Sequence, residues 1–184
     1  MRLLKSISLC AFLWLGNAAL CYAGVPVDYL TITEQDAALA LSGKDKRTAA
    51  IALDKVKGQP GGIPFVSLTI EDAEFRRAIG DSLSLVGLHS TDAGAKYALR
   101  AVIVSGGVPF FQMGSEPYHA TYSVQYELYN AQTGKNIFSK RIETVFKLER
   151  TANMVNVNRG YVLAGGAIRE NIKTLVVELL KLKL

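Results

Sequence analysis

Cysteine and histidine are scarce in this chain of 184 residues. It holds two cysteines, Cys10 and Cys21, and two histidines, His89 and His119. A disulfide scaffold needs several paired cysteines, and a cysteine-based zinc site needs a cluster of them, so both classes are excluded. The two histidines lie 30 residues apart with no further ligands at metal-binding spacing. We therefore predict no metal site.

Recognisable catalytic motifs are missing as well. The charged stretch Ser42–Thr48 lacks the glycine–lysine spacing of a phosphate loop and is predicted to be a solvated turn. Gly106 and Gly107 are not followed by a helix, so they form no dinucleotide-binding fingerprint. No G-x-S-x-G nucleophile elbow occurs. We predict a non-enzymatic protein with no catalytic residue and no cofactor; a hydrolase or transferase with a scattered site is the alternative.

The overall composition is that of an ordinary globular protein. Hydrophobic residues make up 49% and charged residues 20% of the chain, and its length suits one domain. These values exclude a long disordered chain, a collagen-like repeat and a polytopic membrane protein.

Residues 1–23 have the three-part layout of a secretory signal peptide. Arg2 and Lys5 form the positive start, the apolar run Leu9–Leu15 follows, and small residues precede Gly24. The run is shorter than the roughly 20 residues that span a bilayer, so we predict cleavage after Ala23. Cleavage removes two bases and no acid, which lowers the net charge from +5 to +3. This mild charge predicts no nucleic-acid partner.

The same cleavage bears on where the protein resides. It removes both cysteines, and a mature chain without thiols suits an oxidising compartment such as the periplasm. Acylation of Cys21 would instead attach the protein to the outer membrane. A lipoprotein signal carries a small residue before the modified cysteine, whereas here Leu20 precedes it. We predict a periplasmic protein and leave attachment to the outer membrane open.

Residues 24–184 are predicted to form one α+β domain with a looser N-terminal arm up to about residue 62. Within the arm, residues 25–33 favour an extended segment, because threonine, tyrosine and isoleucine suit strands. A short helix is predicted over Gln35–Leu41 and a strand over Thr48–Val56. The glycines and proline of Gly58–Gly62 indicate a turn after that strand.

Two longer amphipathic helices are predicted. The first has Thr69 as its candidate N-cap and Gly87 just past its end, with acidic residues in the first turn, where the helix dipole favours them. Its apolar stripe consists of Ile70, Ala73, Phe75, Ala78, Ile79, Leu83 and Val86. The second helix covers about Tyr161–Lys181. Glycines in its first turns leave two alternatives: the helix starts near Ala167, or the glycines allow a close approach to the sheet.

Three antiparallel strands are predicted between these helices. They cover Tyr97–Ser105, Ala120–Tyr129 and Asn136–Leu148, with a turn at Asn130–Lys135 and apolar residues alternating on one face. The predicted fold class is α+β, an antiparallel sheet with two helices packed on one face. The other face is expected to be wet or covered by a partner, and it carries Thr121, Ser123, Gln125 and Glu127.

The chain from Phe75 onward presents short segments in a recognisable order. These are Phe75–Leu83, Gly87–Leu88, Tyr97–Ala101, Tyr122–Leu128, Thr133–Lys135 with Phe138, and Ala167–Ile172. The layout resembles that of Gram-negative envelope proteins, namely small lipoproteins of the YajG type and the LptE-type lipoproteins of lipopolysaccharide assembly. The resemblance covers roughly 110 of the 184 residues. It implies an α+β accessory or assembly protein and transfers no catalytic residue.

The loop between the predicted strands Tyr97–Ser105 and Ala120–Tyr129 is the candidate contact surface. It contains Phe110, Phe111 and Met113. Exposed apolar side chains of this kind suit a protein partner or an acyl surface, unless the phenylalanines fold back to cap the core. We predict an exported envelope protein that binds a protein or lipid partner. A structural subunit of a secretion or pilus-type assembly is the alternative, and the sequence leaves the oligomeric state open.

Overall fold

A four-stranded sheet organises the part of the chain that the structure describes. The computed structural model describes residues 24–42, 50–58, 68–92, 94–108, 118–149, 156–182 and 184. The strands stand side by side in chain order: β1 (Ile51–Lys57), β2 (Tyr97–Gly107), β3 (Tyr118–Asn130) and β4 (Asn136–Leu148). The β1–β2 pair is parallel, and the β2–β3 and β3–β4 pairs are antiparallel.

Helices pack against one face of this sheet. In the described residues they are α1 (Val27–Leu30), α2 (Glu34–Leu41), α3 (Asp72–Leu85) and α4 (Asn156–Lys181). The helix α3 packs on β1, and α4 packs on β3 and β4, while α1 and α2 contact both of these longer helices. The predicted fold class is confirmed: the protein is α+β, with a mostly antiparallel sheet and its helices on one face. The structure adds the N-terminal helices to that layer.

The first described segment corrects the sequence-based expectation. Residues 25–33 were expected to be extended, but Val27–Leu30 form α1. Leu30 is fully buried and α1 packs on α3 and α4, so tertiary packing outweighs the strand propensity of the individual residues. The hydroxyl of Thr31 donates to the carbonyl oxygen of Val27 at 3.0 Å and closes the turn.

The start of α3 is also corrected. Its first residue is Asp72 and its N-cap is Glu71, which makes no side-chain capping bond. The predicted N-cap, Thr69, instead forms a β-bridge with Gly24, so it lies in extended backbone before the helix. Ala73, assigned to the apolar stripe, is exposed, whereas the other residues of the stripe are buried.

The end of α3 is as the sequence predicts, and α2 departs from its predicted bounds by one residue. At the end of α3, Gly87 has φ 75°, a left-handed conformation that costs glycine little. The N–H groups of Gly87 and Leu88 donate to the carbonyls of Ser84 and Leu83, which forms a Schellman motif. The short helix α2 begins at Glu34, one residue before the predicted start, after a capping box.

The three predicted antiparallel strands are confirmed, and β4 has the predicted bounds. Their apolar faces point toward the helices and are buried. These inner-face residues are Tyr97, Leu99, Ala101 and Ile103 on β2 and Tyr122, Val124, Tyr126 and Leu128 on β3. Alternating hydrophobicity therefore identified both the strands and the side that carries the helices.

The glycines of α4 allow a close approach to neighbouring elements. The helix runs through them from Asn156, so of the two alternatives the close approach is correct. A Cβ atom on Gly165 would overlap the Cβ of Tyr29 and lie 2.9 Å from its carbonyl oxygen. A Cβ on Gly166 would lie 2.7 Å from the ring of Phe146. Glycine lowers helix propensity by about 1 kcal/mol, but here it permits contacts that alanine would block.

A buried polar network fixes α4 against the sheet. Asn171 is fully buried, and its Oδ1 accepts a hydrogen bond from the Tyr126 hydroxyl at 2.9 Å. Its Nδ2 donates to the carbonyl of Ile142 at 2.9 Å and to Oγ1 of Thr144 at 3.2 Å. The Thr144 hydroxyl in turn donates to the carbonyl of Ala167 at 2.8 Å. Each of these bonds forms only when α4 and the strands β3 and β4 are in one relative position. The network therefore fixes that position.

Candidate interaction surface

The sheet face opposite the helices is here called the outer face. It is formed by alternate residues of β2, β3 and β4, and helices in the described residues pack on the other side. Its members are Arg100, Val102, Val104, His119, Thr121, Ser123, Gln125, Glu127, Tyr129, Ile137, Ser139, Arg141, Glu143, Val145 and Lys147.

Charged groups at one end of the outer face are paired with each other. Arg100 donates from Nε to Asp54 at 2.6 Å, and its guanidinium lies 4.7 Å from the centre of the Tyr129 ring. The Tyr129 hydroxyl donates to the Glu127 carboxylate at 2.6 Å. The hydrogen bond to Asp54 and the charge of that carboxylate raise the pKa of Arg100 above its usual value. At this end Arg100 is neutralised by Asp54, and the Glu127 carboxylate is bound by the Tyr129 hydroxyl.

The middle of the outer face is held by side-chain hydrogen bonds between strands. Arg141 donates from Nε to the Ser123 hydroxyl at 2.6 Å, and Gln125 donates to the Ser139 hydroxyl at 3.0 Å. Ser123 was expected to be wet or partner-covered, but it is only 1% exposed. The reason is internal, because the Arg141 side chain from the next strand reaches it.

The other end of the outer face carries two exposed valines beside the polar residues Thr121, His119 and Lys147. Val104 is 48% exposed and Val145 is 53% exposed. Val104 lies three residues before the end of β2 at Gly107, and Val145 pairs with Thr121, three residues after β3 begins. Both valines therefore lie at the end of the sheet where residues 109–117 connect β2 to β3.

That connection carries the predicted contact residues. Phe110, Phe111 and Met113 lie outside the described residues, as do residues 1–23 with both cysteines. The structure describes the strand ends on either side of this loop. It also shows the two exposed valines, which were not among the predicted contact residues. The sequence carried a signal for Val145 alone, because the other outward residues of β4 are mostly polar, whereas Val104 shares its face of β2 with Val102.

The acidic residues at the start of α3 have a structural role. Asp72 accepts a hydrogen bond from Lys57 Nζ at 2.6 Å and one from the N–H of Gly58 at 2.8 Å. The bond from Lys57 and then the bond from Gly58 lower the pKa of Asp72 below its usual value. This carboxylate ties the end of β1 to the first turn of α3.

The two histidines lie on different elements. His89 follows α3, and its Nδ1 is 3.2 Å from the Ser84 hydroxyl. His119 lies on β3 opposite Lys147 of β4. Within the described ranges, no three histidine, cysteine or acidic residues form a group that could hold a metal ion. No helix in those ranges is long and apolar enough to cross a membrane.

Comparisons with known proteins show a shared fold. No protein-family model matches the sequence, and no curated protein matches it. Protein XCC0632 from Xanthomonas campestris, described under the family model DUF330, has 10% identity and a TM-score of 0.57 over 86% of this chain and 92% of that chain. Protein CT253 from Chlamydia trachomatis has 12% identity and a TM-score of 0.53 over 72% of this chain and 96% of that chain.

A minor lipoprotein from Acinetobacter baumannii also matches, with 12% identity and a TM-score of 0.43 over 71% of this chain and 89% of that chain. The resemblance to DUF330 is thus shown as a likeness of fold. The resemblance to YajG-type and LptE-type lipoproteins, which the sequence segments suggested, stays a prediction.

Proposed function

We propose that the protein is exported to the bacterial cell envelope and serves there as a non-enzymatic binding or assembly accessory for a protein or lipid partner. The observation that carries this proposal is a pair of exposed valines at one end of the outer face. Val104 and Val145 are each about half exposed there, beside the strand ends that hold the loop with Phe110 and Phe111.

Isolated exposed apolar residues are common on soluble proteins, so position matters more than exposure. Here two exposed valines share one face, and the connected loop supplies two aromatic residues and Met113. An aromatic side chain buries about 150–250 Å², and apolar burial is worth about 25 cal/mol per Å². In this proposal the two rings are uncovered in the free protein, so covering them would contribute several kcal/mol to binding before the entropic costs of association. The polar remainder of the outer face would form the rim of the contact.

Export rests on the signal-like segment that ends at Ala23. Gly24 would then be the first mature residue, and it forms a β-bridge with Thr69. Val25 is fully buried, and its N–H donates to the carbonyl of Thr69 at 3.0 Å. Cleavage after Ala23 would consequently leave the described core intact.

The decisive experiment is crosslinking in intact cells followed by recovery of the tagged protein. Two double variants, Phe110→Ser with Phe111→Ser and Val104→Ser with Val145→Ser, should both lose the crosslinked partner. Leu39→Ser is the matched control, because Leu39 is 63% exposed but lies on α2, away from the sheet. It should retain the partner.

Circular dichroism of the purified variants separates loss of binding from loss of fold. Folded phenylalanine and valine variants that crosslink as the wild type does would contradict the proposal, and so would an unfolded phenylalanine variant, because those rings would then belong to the core. The two partner classes are distinguished by what is recovered. A protein partner is recovered in the crosslinked complex, whereas a lipid partner is detected only by co-sedimentation with envelope phospholipid vesicles. An intact Met1 in N-terminal sequencing would contradict export.

A further inference from the structure

The strand β4 leaves one edge of the sheet open. It is the last strand in the sheet order, and no strand of the described ranges pairs with its outer edge. It has 13 residues, against about 5–6 for a typical strand. Its ladder with β3 is regular from Phe138 to Leu148, without proline, glycine or a bulge. A long, regular edge presents unpaired N–H and C=O groups and is a template for another strand.

The opposite edge of the sheet differs. There β1 has seven residues, and its register with β2 shifts between Leu53 and Val56. Short and irregular edges disfavour further pairing. The open edge of β4 is therefore the place where the sheet can be extended.

The sequence of β4 is complementary to itself in the antiparallel direction. Its midpoint is Ile142, because the strand covers Asn136–Leu148. Two copies related by a two-fold axis through Ile142 overlap along the whole strand. Arg141 of each copy then lies opposite Glu143 of the other, which gives two oppositely charged cross-strand pairs on the outer face. On the inner face, Phe138 lies opposite Phe146, again twice.

Neighbouring registers lack this match. A shift of the axis by one residue sets Arg141 against Arg141 or Glu143 against Glu143. A shift by two sets Lys140 against Lys140, or Arg141 against Lys147. An axis at Val145 pairs Glu143 with Lys147, but it overlaps only the second half of the strand. Like charges directly opposite each other disfavour pairing, so the register centred on Ile142 is the best full-length match.

The individual side chains are also available for this pairing. Glu143 is exposed and makes no hydrogen bond or ion pair in the described part of the chain. Arg141 is held in position by the bond from its Nε to Ser123 and by a longer contact of 3.4 Å from Nη2 to Ser105. The second copy would supply Glu143 with a cationic partner.

We propose that the protein forms a two-fold dimer in which β4 pairs with β4 of a second copy, centred on Ile142, to give a continuous eight-stranded sheet. This inference goes beyond the proposed function and does not depend on it. The dimer uses the edge of β4, whereas the partner surface lies on the outer face near the β2–β3 connection.

The test is the molar mass of the purified protein, expressed from the full sequence, by size-exclusion chromatography with light scattering. The wild type should have the mass of a dimer. Glu143→Arg and Arg141→Glu should each raise the dissociation constant by about tenfold or more, because each replaces two attractive pairs with two repulsive ones. Mixing the two variants should restore a dimer, since each substituted strand then faces one of opposite charge.

The matched control is Lys147→Glu, which changes the net charge of β4 as Arg141→Glu does. In the proposed register Lys147 faces Ile137, so this variant should remain dimeric. Glu143→Arg replaces a side chain that is exposed and has no hydrogen bond or ion pair to the described residues, and circular dichroism should confirm that the variant folds. A monomeric wild type, a dimer that survives Glu143→Arg, a mixture that stays monomeric, or a monomeric Lys147→Glu variant would each overturn the proposal. None of these results depends on the envelope partner.

Discussion

The inner face of the sheet packs against α3 and α4, whereas charged residues on the outer face, such as Arg100, are held mainly by bonds to neighbouring side chains. On the inner face, Tyr122 and Tyr126 are almost fully buried. On the outer face, the Arg100 and Asp54 side chains are 45% and 46% exposed. Burial of apolar area stabilises a fold far more than exposed ion pairs do. The comparison teaches that the inner face supplies most of the stability, whereas the exposed ion pair of the outer face supplies little.

The largest expected effect lies on the inner side. Leu179 of α4 is fully buried, so Leu179→Ala should lower the free energy of unfolding by about 2–5 kcal/mol through lost burial and a residual cavity. In thermal melts this corresponds to about 2–4 °C per kcal/mol for a chain of this size. Leu39→Ala, at a 63% exposed position, should change the stability by less than about 0.5 kcal/mol.

A Leu179→Ala variant that melts at the same temperature as the wild type would contradict the docking of α4 on the sheet. A loss in the Leu39→Ala variant that matches the loss in Leu179→Ala would show that the exposed leucine is covered in solution.

An intermediate effect is expected at high pH. Burial raises the pKa of Tyr122 to about 12, against about 10 for an exposed tyrosine. Below pH 10 the phenol is neutral in both states, so it contributes nothing to the pH dependence. Between pH 10 and 12 the unfolded state loses the proton first, so the folded protein loses up to about 2–3 kcal/mol as the pH rises.

Denaturant titrations at pH 7 and at pH 11.5 measure this loss. The Tyr122→Phe variant should lose less stability than the wild type between the two values, although Tyr126, whose pKa is also raised by burial, will still contribute. An identical loss in the wild type and the variant would mean that Tyr122 is not buried in the neutral form.

The smallest effect is expected on the outer face. Arg100→Met breaks the ion pair with Asp54 and should lower the stability only slightly, since both partners are nearly half exposed. The difference from the wild type should shrink in 1 M salt, where charges are screened within about 3 Å. Urea titrations at low and high salt test this. A loss as large as that of Leu179→Ala would give the outer-face cluster the same weight as the core and remove the contrast between the faces.

Local periodicity was sufficient to predict much of the fold. The bounds of β4 and the buried faces of β2 and β3 followed from alternating hydrophobicity, and Gly87 identified the end of α3. The helix α1 did not follow, because four residues carry little periodic signal and packing against α3 and α4 decides their conformation. The parallel β1–β2 pair was also missed, although a strand, a helix and a further strand in succession favour that connection.

The candidate surface was less predictable because it depends on the register between strands. The bond from Arg141 to Ser123 joins residues 18 positions apart, and the bond from Lys57 to Asp72 joins residues 15 apart. Neither pair can be chosen from sequence spacing alone. Val104 and Val145 became a surface only when the sheet set them at the same end of one face.

The contact between α1 and α4 has a consequence for the order of folding. Arg169 donates from Nη2 to the carbonyl of Asp28 at 2.9 Å, across 141 positions of the chain, and Tyr29 packs against Gly165. The antiparallel hairpin β3–β4 joins neighbours in sequence and can form early, whereas α1 has only the part of its docking surface that α3 provides until α4 is complete. A polypeptide that enters a compartment with its N-terminus first would therefore hold that end only partly docked until its last helix arrives, so folding would be completed only after transfer.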